Sequence, residues 1–177
     1  DKLPNDAANQ LIEIGRQAFG EVLERPTVWT FWWPRFKQIS YWFIETEENL
    51  RKTQKTVATE VKGQLVICQT SGGEFTLSAV ADRIDQHQDG SYSIIDYKTG
   101  LPPTSRQVKA GFAPQLPLEA VIASSGGFGG VEAGKVSELS YWKLTGGENV
   151  AERKIFNETM RPPSNMNIMA VAGQAKE

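Results

Sequence analysis

Two aspartates and a lysine stand where strands ordinarily carry apolar side chains. Residues 79–85 read Ala-Val-Ala-Asp-Arg-Ile-Asp and residues 94–100 read Ile-Ile-Asp-Tyr-Lys-Thr-Gly. A Gln-Asp-Gly turn signal lies between them, and Gln-Leu-Pro-Leu-Glu follows at 115–119. Side chains two apart on a strand share a face, so Asp96 and Lys98 point one way while Ile95 and Tyr97 point the other. Aspartate is disfavoured inside strands, and a carboxylate flanked by Ile94 and Ile95 is costly to bury alone. Oxygen ligation of a divalent cation would explain its placement. A lone Asp-x-Lys triplet is usually a surface ion pair; the spacing to Asp82 and the Gln115 segment sets this one apart.

The register of the hairpin decides which acids meet. With a two-residue Asp89-Gly90 turn, Asp82 lands opposite Tyr97, and Asp85 is the better companion for Asp96. With a three-residue loop, in which Gly90 takes the left-handed position, His87 pairs with Ser91 and Asp82 falls opposite Asp96. The second register is the one predicted.

Composition narrows the chemistry. The chain has 177 residues, 40% hydrophobic and 23% charged, a length that suits one domain. One cysteine, Cys68, and one histidine, His87, leave almost no ligands for zinc or for a cysteine-held iron-sulfur cluster, so any metal must be held mainly by oxygen. Cys68 reads as a buried strand thiol and His87 as an exposed turn residue. With 19 basic and 21 acidic residues the net charge of -2 provides no general attraction for nucleic acid. Arg83, Lys98, Arg106 and Lys109 are candidates to line a local phosphate groove. No apolar run approaches a membrane span, and no basic-then-apolar leader opens the chain. No membrane association and a cytoplasmic location are therefore expected.

Helical spacing marks two amphipathic helices before Leu50, the second starting near Trp33-Pro34, with Glu45, Glu47 and Glu48 on its polar side. Its many aromatic residues read as core or interface in preference to base-stacking groups. From Lys55 the pattern turns to Val, Ile and Thr, with Lys62-Gly63 as a turn between two strands. Hairpin strands follow at 74–85 and 91–99, then a short helix capped by Thr104, a longer one opened by Pro114, and a strand at 136–144. The glycine-rich stretch at 124–134 reads as a loose surface connection, with the wrong order of elements for a phosphate loop. One domain is expected, with a helical segment at 1–52, a sheet with helices at 53–145 and a polar tail without sheet pairing at 146–177.

The segments Ala-Asp-Arg-Ile-Asp, Asp-Tyr-Lys-Thr-Gly and Pro-Gln-Leu-Pro-Leu-Glu-Ala together resemble the PD-(D/E)XK nuclease superfamily in its RecB-like branch. Within that branch they look most like AddB-type subunits of alphaproteobacterial helicase-nucleases, specifically over residues 75–123. The resemblance implies an α/β, restriction-endonuclease-like fold with a mixed central sheet flanked by helices. It implies a Mg²⁺- or Mn²⁺-dependent deoxyribonuclease of exonuclease type, working on DNA in double-strand-break repair and recombination beside a helicase subunit resembling AddA. Asp82, Asp96 and the Tyr97 backbone carbonyl would hold the metal, Lys98 would position or activate water, and Gln115 would orient Lys98, water or phosphate. Glu119 stands where many relatives have tyrosine, and Glu60, Glu119 and Arg83 are further candidates around the site or substrate. The family's first metal ligand is a histidine on an upstream helix, a position His87 does not match. That ligand is expected before Asp1, which makes this chain a fragment of a longer protein. The other reading is a nuclease fold without catalysis, acting as a DNA-binding or subunit-docking scaffold.

Overall fold

A computed structural model of the chain describes residues 2–157 together with Asn167 and Ala170. In chain order the elements are α1 (Ala7–Phe19), α2 (Trp33–Leu50), β1 (Gln54–Thr70), β2 (Gly73–His87), β3 (Tyr92–Lys98), α3 (Ser105–Lys109), α4 (Gln115–Ser124), β4 (Val136–Leu144) and β5 (Ala151–Asn157). A single 3-10 turn follows α1, and a π-turn over Val28–Trp32 leads into α2. The strands form one sheet in the order β1-β2-β3-β4-β5, antiparallel everywhere except between β3 and β4. A parallel step needs a long crossover. Here α3 and α4 supply it, the first started by a capping box between Thr104 and Gln107.

Strand alternation gives the sheet two different faces. On one, Ile84, Ile94, Leu139 and Tyr141 pack with Leu116, Ala120 and Ile122 of α4. On the other, Ile95 and Trp142 pack with Leu50, Trp42 and Phe43 of α2. The result is an α/β fold of three layers with a mixed central sheet, as the motifs implied.

The hairpin adopts the predicted register. His87 and Ser91 close the loop through a 2.8 Å backbone hydrogen bond, Gly90 has φ +84°, and the ladder runs Gln86↔Tyr92 to Arg83↔Ile95. One further step sets Asp82 opposite Asp96.

Five expectations need correction. Lys62-Gly63 is not a turn, because β1 runs through it to Thr70. Gly63 serves close approach instead, since a Cβ there would overlap the Phe128 ring. The glycine-rich stretch is accordingly not loose. Phe128 is buried, and Gly127 and Gly129 exchange backbone hydrogen bonds with Gln64 and Lys62 of β1. Residues 151–157, expected in a polar tail, form β5 and pair with β4 from Leu144↔Ala151 to Glu138↔Asn157. Only Phe156 of this strand is buried, so no alternating pattern announced it. The remainder of the expected tail lies outside the described residues, Asn167 and Ala170 apart. Finally, Cys68 is exposed, and His87 is half-buried at the end of β2, 2.8 Å from the Ser93 hydroxyl.

Candidate active site

Asp96, Lys98, Gln115 and Glu119 meet on the α4 face of the sheet, with Asp82 on the neighbouring strand. Lys98 Nζ stands 2.7 Å from one Asp96 carboxylate oxygen and 2.9 Å from the other. It also donates to Gln115 Oε1 at 3.3 Å. Gln115 in turn donates from Nε2 to Asp96 Oδ1 at 2.6 Å and to Glu119 Oε1 at 3.2 Å. The two α4 residues reach the same spot because they are one helical turn apart. Gln115 thereby clasps acid and amine together, and Lys98 is additionally seated over the Tyr141 ring, 5.9 Å from its centroid.

Asp82 is held differently. Paired positions with exchanged backbone bonds alternate along an antiparallel ladder, so the His87–Ser91 closure predicts such bonds at Asp85–Ser93, Arg83–Ile95 and Ala81–Tyr97. The ladder stops at Arg83↔Ile95. The Tyr97 N–H donates instead to Asp82 Oδ2 at 2.9 Å. The Tyr97 carbonyl, on the same side of the strand as its N–H, is directed to this gap between β2 and β3.

The electrostatics are those of crowded acids. Burial, followed by the nearby Asp96 and Asp82 carboxylates and only partly opposed by the Gln115 hydrogen bond, raises the Glu119 carboxyl to about 7. Burial also raises the Asp96 carboxyl, with Lys98 opposing and Asp82 reinforcing the shift. Glu119 Oε2 is buried with no hydrogen-bond partner among the described residues. An orphaned carboxylate oxygen beside two further acids fits a hard cation. Mg²⁺ commonly uses one or two protein carboxylates and keeps several waters, so this donor set suits it. Among the described residues, no three His, Cys, Asp or Glu side chains converge into a fuller cage.

Two candidates fall elsewhere. Arg83 points to the α2 face, where it pairs with Asp85 at 2.7 Å and with Glu47, and stacks 5.6 Å from the Trp142 ring centroid. It lines no phosphate groove. Burial works against its charge, but hydrogen bonds to Asp85 and Glu47 prevail and hold its pKa above the ordinary value. Asp85 is fully buried, is Arg83's partner and also accepts from Gln54 at 2.8 Å. Glu60 has φ +48° in β1, level with Asp82, yet is exposed and joins none of these contacts. Arg106 is exposed on α3.

Sequence reasoning placed Glu47 on a polar helix side, whereas it is 3% exposed and anchors Arg83. Its spacing from Phe43 and Leu50, four and three residues away, was the available signal. The aromatic segment divides. Trp33 is buried, and Trp42 and Phe43 pack on Trp142, while Trp29, Phe31, Trp32 and Tyr41 are exposed.

Comparison with known proteins places these features in context. A family model described as the PD-(D/E)XK nuclease superfamily matches residues 1–171. An uncharacterized protein of Rickettsia felis is 33% identical over 124 residues, covering 70% of this chain but 14% of that protein. One from Rickettsia conorii is 32% identical over 124 residues, again 70% of this chain and 15% of its own length. The chain thus spans a small part of these relatives. A solved structure described as "Crystal structure of SSO0001" aligns with a TM-score of 0.40 and 13% identity over 99% of this chain and 76% of its own.

Proposed function

The chain belongs to the PD-(D/E)XK nuclease superfamily, and from that premise we propose that it is a metal-dependent deoxyribonuclease domain hydrolysing phosphodiester bonds. The observation that carries this reading is the Lys98 ammonium held between Asp96 and Gln115, with Asp82 on the adjoining strand. Asp82, Asp96 and the Tyr97 carbonyl would hold Mg²⁺ or Mn²⁺, and Glu119, with an unpartnered buried oxygen, would offer a further donor. When bound, the cation supplies positive charge against the charge developing on the phosphoryl oxygens. Lys98 has three donors, and its contacts with Asp96 and Gln115 leave capacity to orient an attacking water. As the water oxygen bonds to phosphorus it gives up a proton to solvent, the bond to the leaving sugar oxygen breaks, and that oxygen takes up a proton from solvent. Gln115 fixes the direction of Lys98, and α4 shields the carboxylates from bulk water.

The motif resemblance supports a finer reading, an exonuclease within a helicase-nuclease that repairs double-strand breaks with an AddA-like partner. A histidine upstream of Asp1 would complete the metal site. No described helix is long and apolar enough to cross a membrane, consistent with action on DNA in the bacterial cytoplasm. Among the described residues no three His, Cys, Asp or Glu side chains are placed to hold one ion together, and this favours the second reading, a scaffold that binds DNA or a subunit without cutting.

The test is cleavage of single-stranded DNA by the longer natural protein with Mg²⁺ or Mn²⁺, compared with Asp96→Ala. Metal-dependent cutting that the substitution abolishes supports the nuclease. DNA binding with no cutting under any metal replaces it with the scaffold.

A further inference from the structure

The catalytic face of the sheet continues past Lys98 in a way the reaction itself does not use. Lys143 of β4 is the register partner of Lys98, and Glu152 and Lys154 of β5 pair with Lys143 and Tyr141. Paired positions share a face, so Lys98, Lys143 and Lys154 form a basic row across three adjacent strands, interrupted by one acid. Above the Lys143–Lys154 end of this row, with Glu152 between them, lies an open groove of about 580 Å³, whose other wall is built from the segments leaving β3 and entering α4. Lys154 secures that wall by donating to the Pro103 carbonyl at 2.7 Å.

Two large apolar side chains line the groove and face water, Leu101 at 88% exposure and Phe112 at 83%. Each lies three residues from a member of the acid-amine clasp, Leu101 after Lys98 and Phe112 before Gln115. Isolated exposed apolar residues are ordinary. Two that wall one groove whose floor carries Lys143 and Lys154 match the two chemistries of a nucleotide. An unpaired base offers a flat apolar face that aromatic rings stack on, and its phosphate seeks cations.

We propose that this groove is the subsite for the nucleotide next to the scissile phosphate of single-stranded DNA, with Phe112 stacking on its base, Leu101 packing at its edge and Lys143 meeting its phosphate. The assignment rests on the nuclease reading and adds the residues that meet the strand beside the reacting groups. A blunt duplex holds its bases in the stack and offers Phe112 none.

Binding of a fluorescein-labelled oligothymidylate to the longer natural protein in EDTA, measured by anisotropy, tests the subsite without cleavage. Phe112→Ala should weaken binding roughly 5- to 100-fold, and Phe112→Tyr should restore it, since either ring stacks. Lys143→Gln should reduce the salt slope of log K by about 0.7, the loss of one single-strand phosphate contact, whereas Phe112→Ala should leave that slope unchanged. Equal affinity of Phe112→Ala and wild type, or an equal effect of that substitution on a blunt duplex, overturns the proposal. If wild type then cleaves single-stranded DNA with Mg²⁺, only the subsite is lost. Wild type that neither binds nor cleaves DNA removes the nuclease reading as well.

Discussion

Without a divalent cation, Glu119 should make the fold lose stability as the pH rises toward neutrality. Its carboxyl is 2% exposed and holds its proton to about pH 7, mainly because burial disfavours the charged form and the Asp96 and Asp82 carboxylates add repulsion. In the unfolded chain the same group ionises near 4.5. Between those values the folded state binds more protons, so stability is full below about pH 4.5, declines through the interval and has lost its whole contribution above about pH 7. At about 1.4 kcal/mol per pH unit, the loss is about 3 kcal/mol. Asp96, also raised, acts with the same sign, so the comparison that isolates Glu119 is wild type against Glu119→Gln. The amide imitates the protonated acid. Urea midpoints in EDTA should nearly coincide at pH 5 and diverge by pH 8, where the glutamine variant is more stable by up to about 3 kcal/mol. Adding Mg²⁺ should flatten the wild-type profile, because a cation among these oxygens favours their ionised forms. Parallel profiles for the two proteins would refute the buried, acid-crowded site.

Three further outcomes follow from particular contacts. Arg83→Ala removes the cation between two buried carboxylates, Glu47 and Asp85, and should cost about 3–5 kcal/mol by urea unfolding; a loss under about 1 kcal/mol would mean that the pair is solvated. Gly63→Ala drives a methyl group into the Phe128 ring and should destabilise by about 1–3 kcal/mol, an effect that Phe128→Leu should partly relieve in a double-mutant cycle. Thr104→Ala deletes the capping hydrogen bond to Gln107 N and should cost about 0.5–2 kcal/mol, with Thr104→Ser retaining most of it in thermal unfolding.

How much of this was legible beforehand depended on whether the relevant contact was local. The hairpin register could be read because loop length and Gly90 fix it within a few residues. Gln115 and Glu119 were readable as one helix face for the same reason. Gly63 misled because a glycine permits a turn and a close packing contact equally well, and only Phe128, 65 positions away, distinguishes them. The β5 strand was invisible because Ala151–Asn157 takes its order from the edge of β4 and buries a single ring. Arg83 was misplaced for a related reason. Its neighbours in sequence include Asp82, but a strand sends adjacent side chains to opposite faces, and its partner Glu47 comes from a helix 36 residues earlier.

That opposition links stability to chemistry. Along β2, Asp82 and Ile84 face α4, whereas Arg83 and Asp85 face α2; along β3, Ile94, Asp96 and Lys98 face α4, whereas Ile95 and Tyr97 face α2. A slip of one residue in β2 would bury Arg83 and Asp85 in the apolar α4 layer and turn Ile84 toward Glu47. The penalty is that of unpaired buried charge, several kcal/mol per ion, so the Arg83–Asp85–Glu47 cluster forbids the slip that would also part Asp82 from Asp96. It lies across the sheet from the reacting groups and meets their strand through the Arg83 guanidinium, which donates to the Tyr97 hydroxyl at 3.4 Å. Its consequence for function is geometric: Arg83→Ala should loosen the Asp82–Tyr97 contact and lower metal-dependent cleavage more steeply than its effect on DNA binding. Equal losses in cleavage and binding would show that Arg83 supports only the fold.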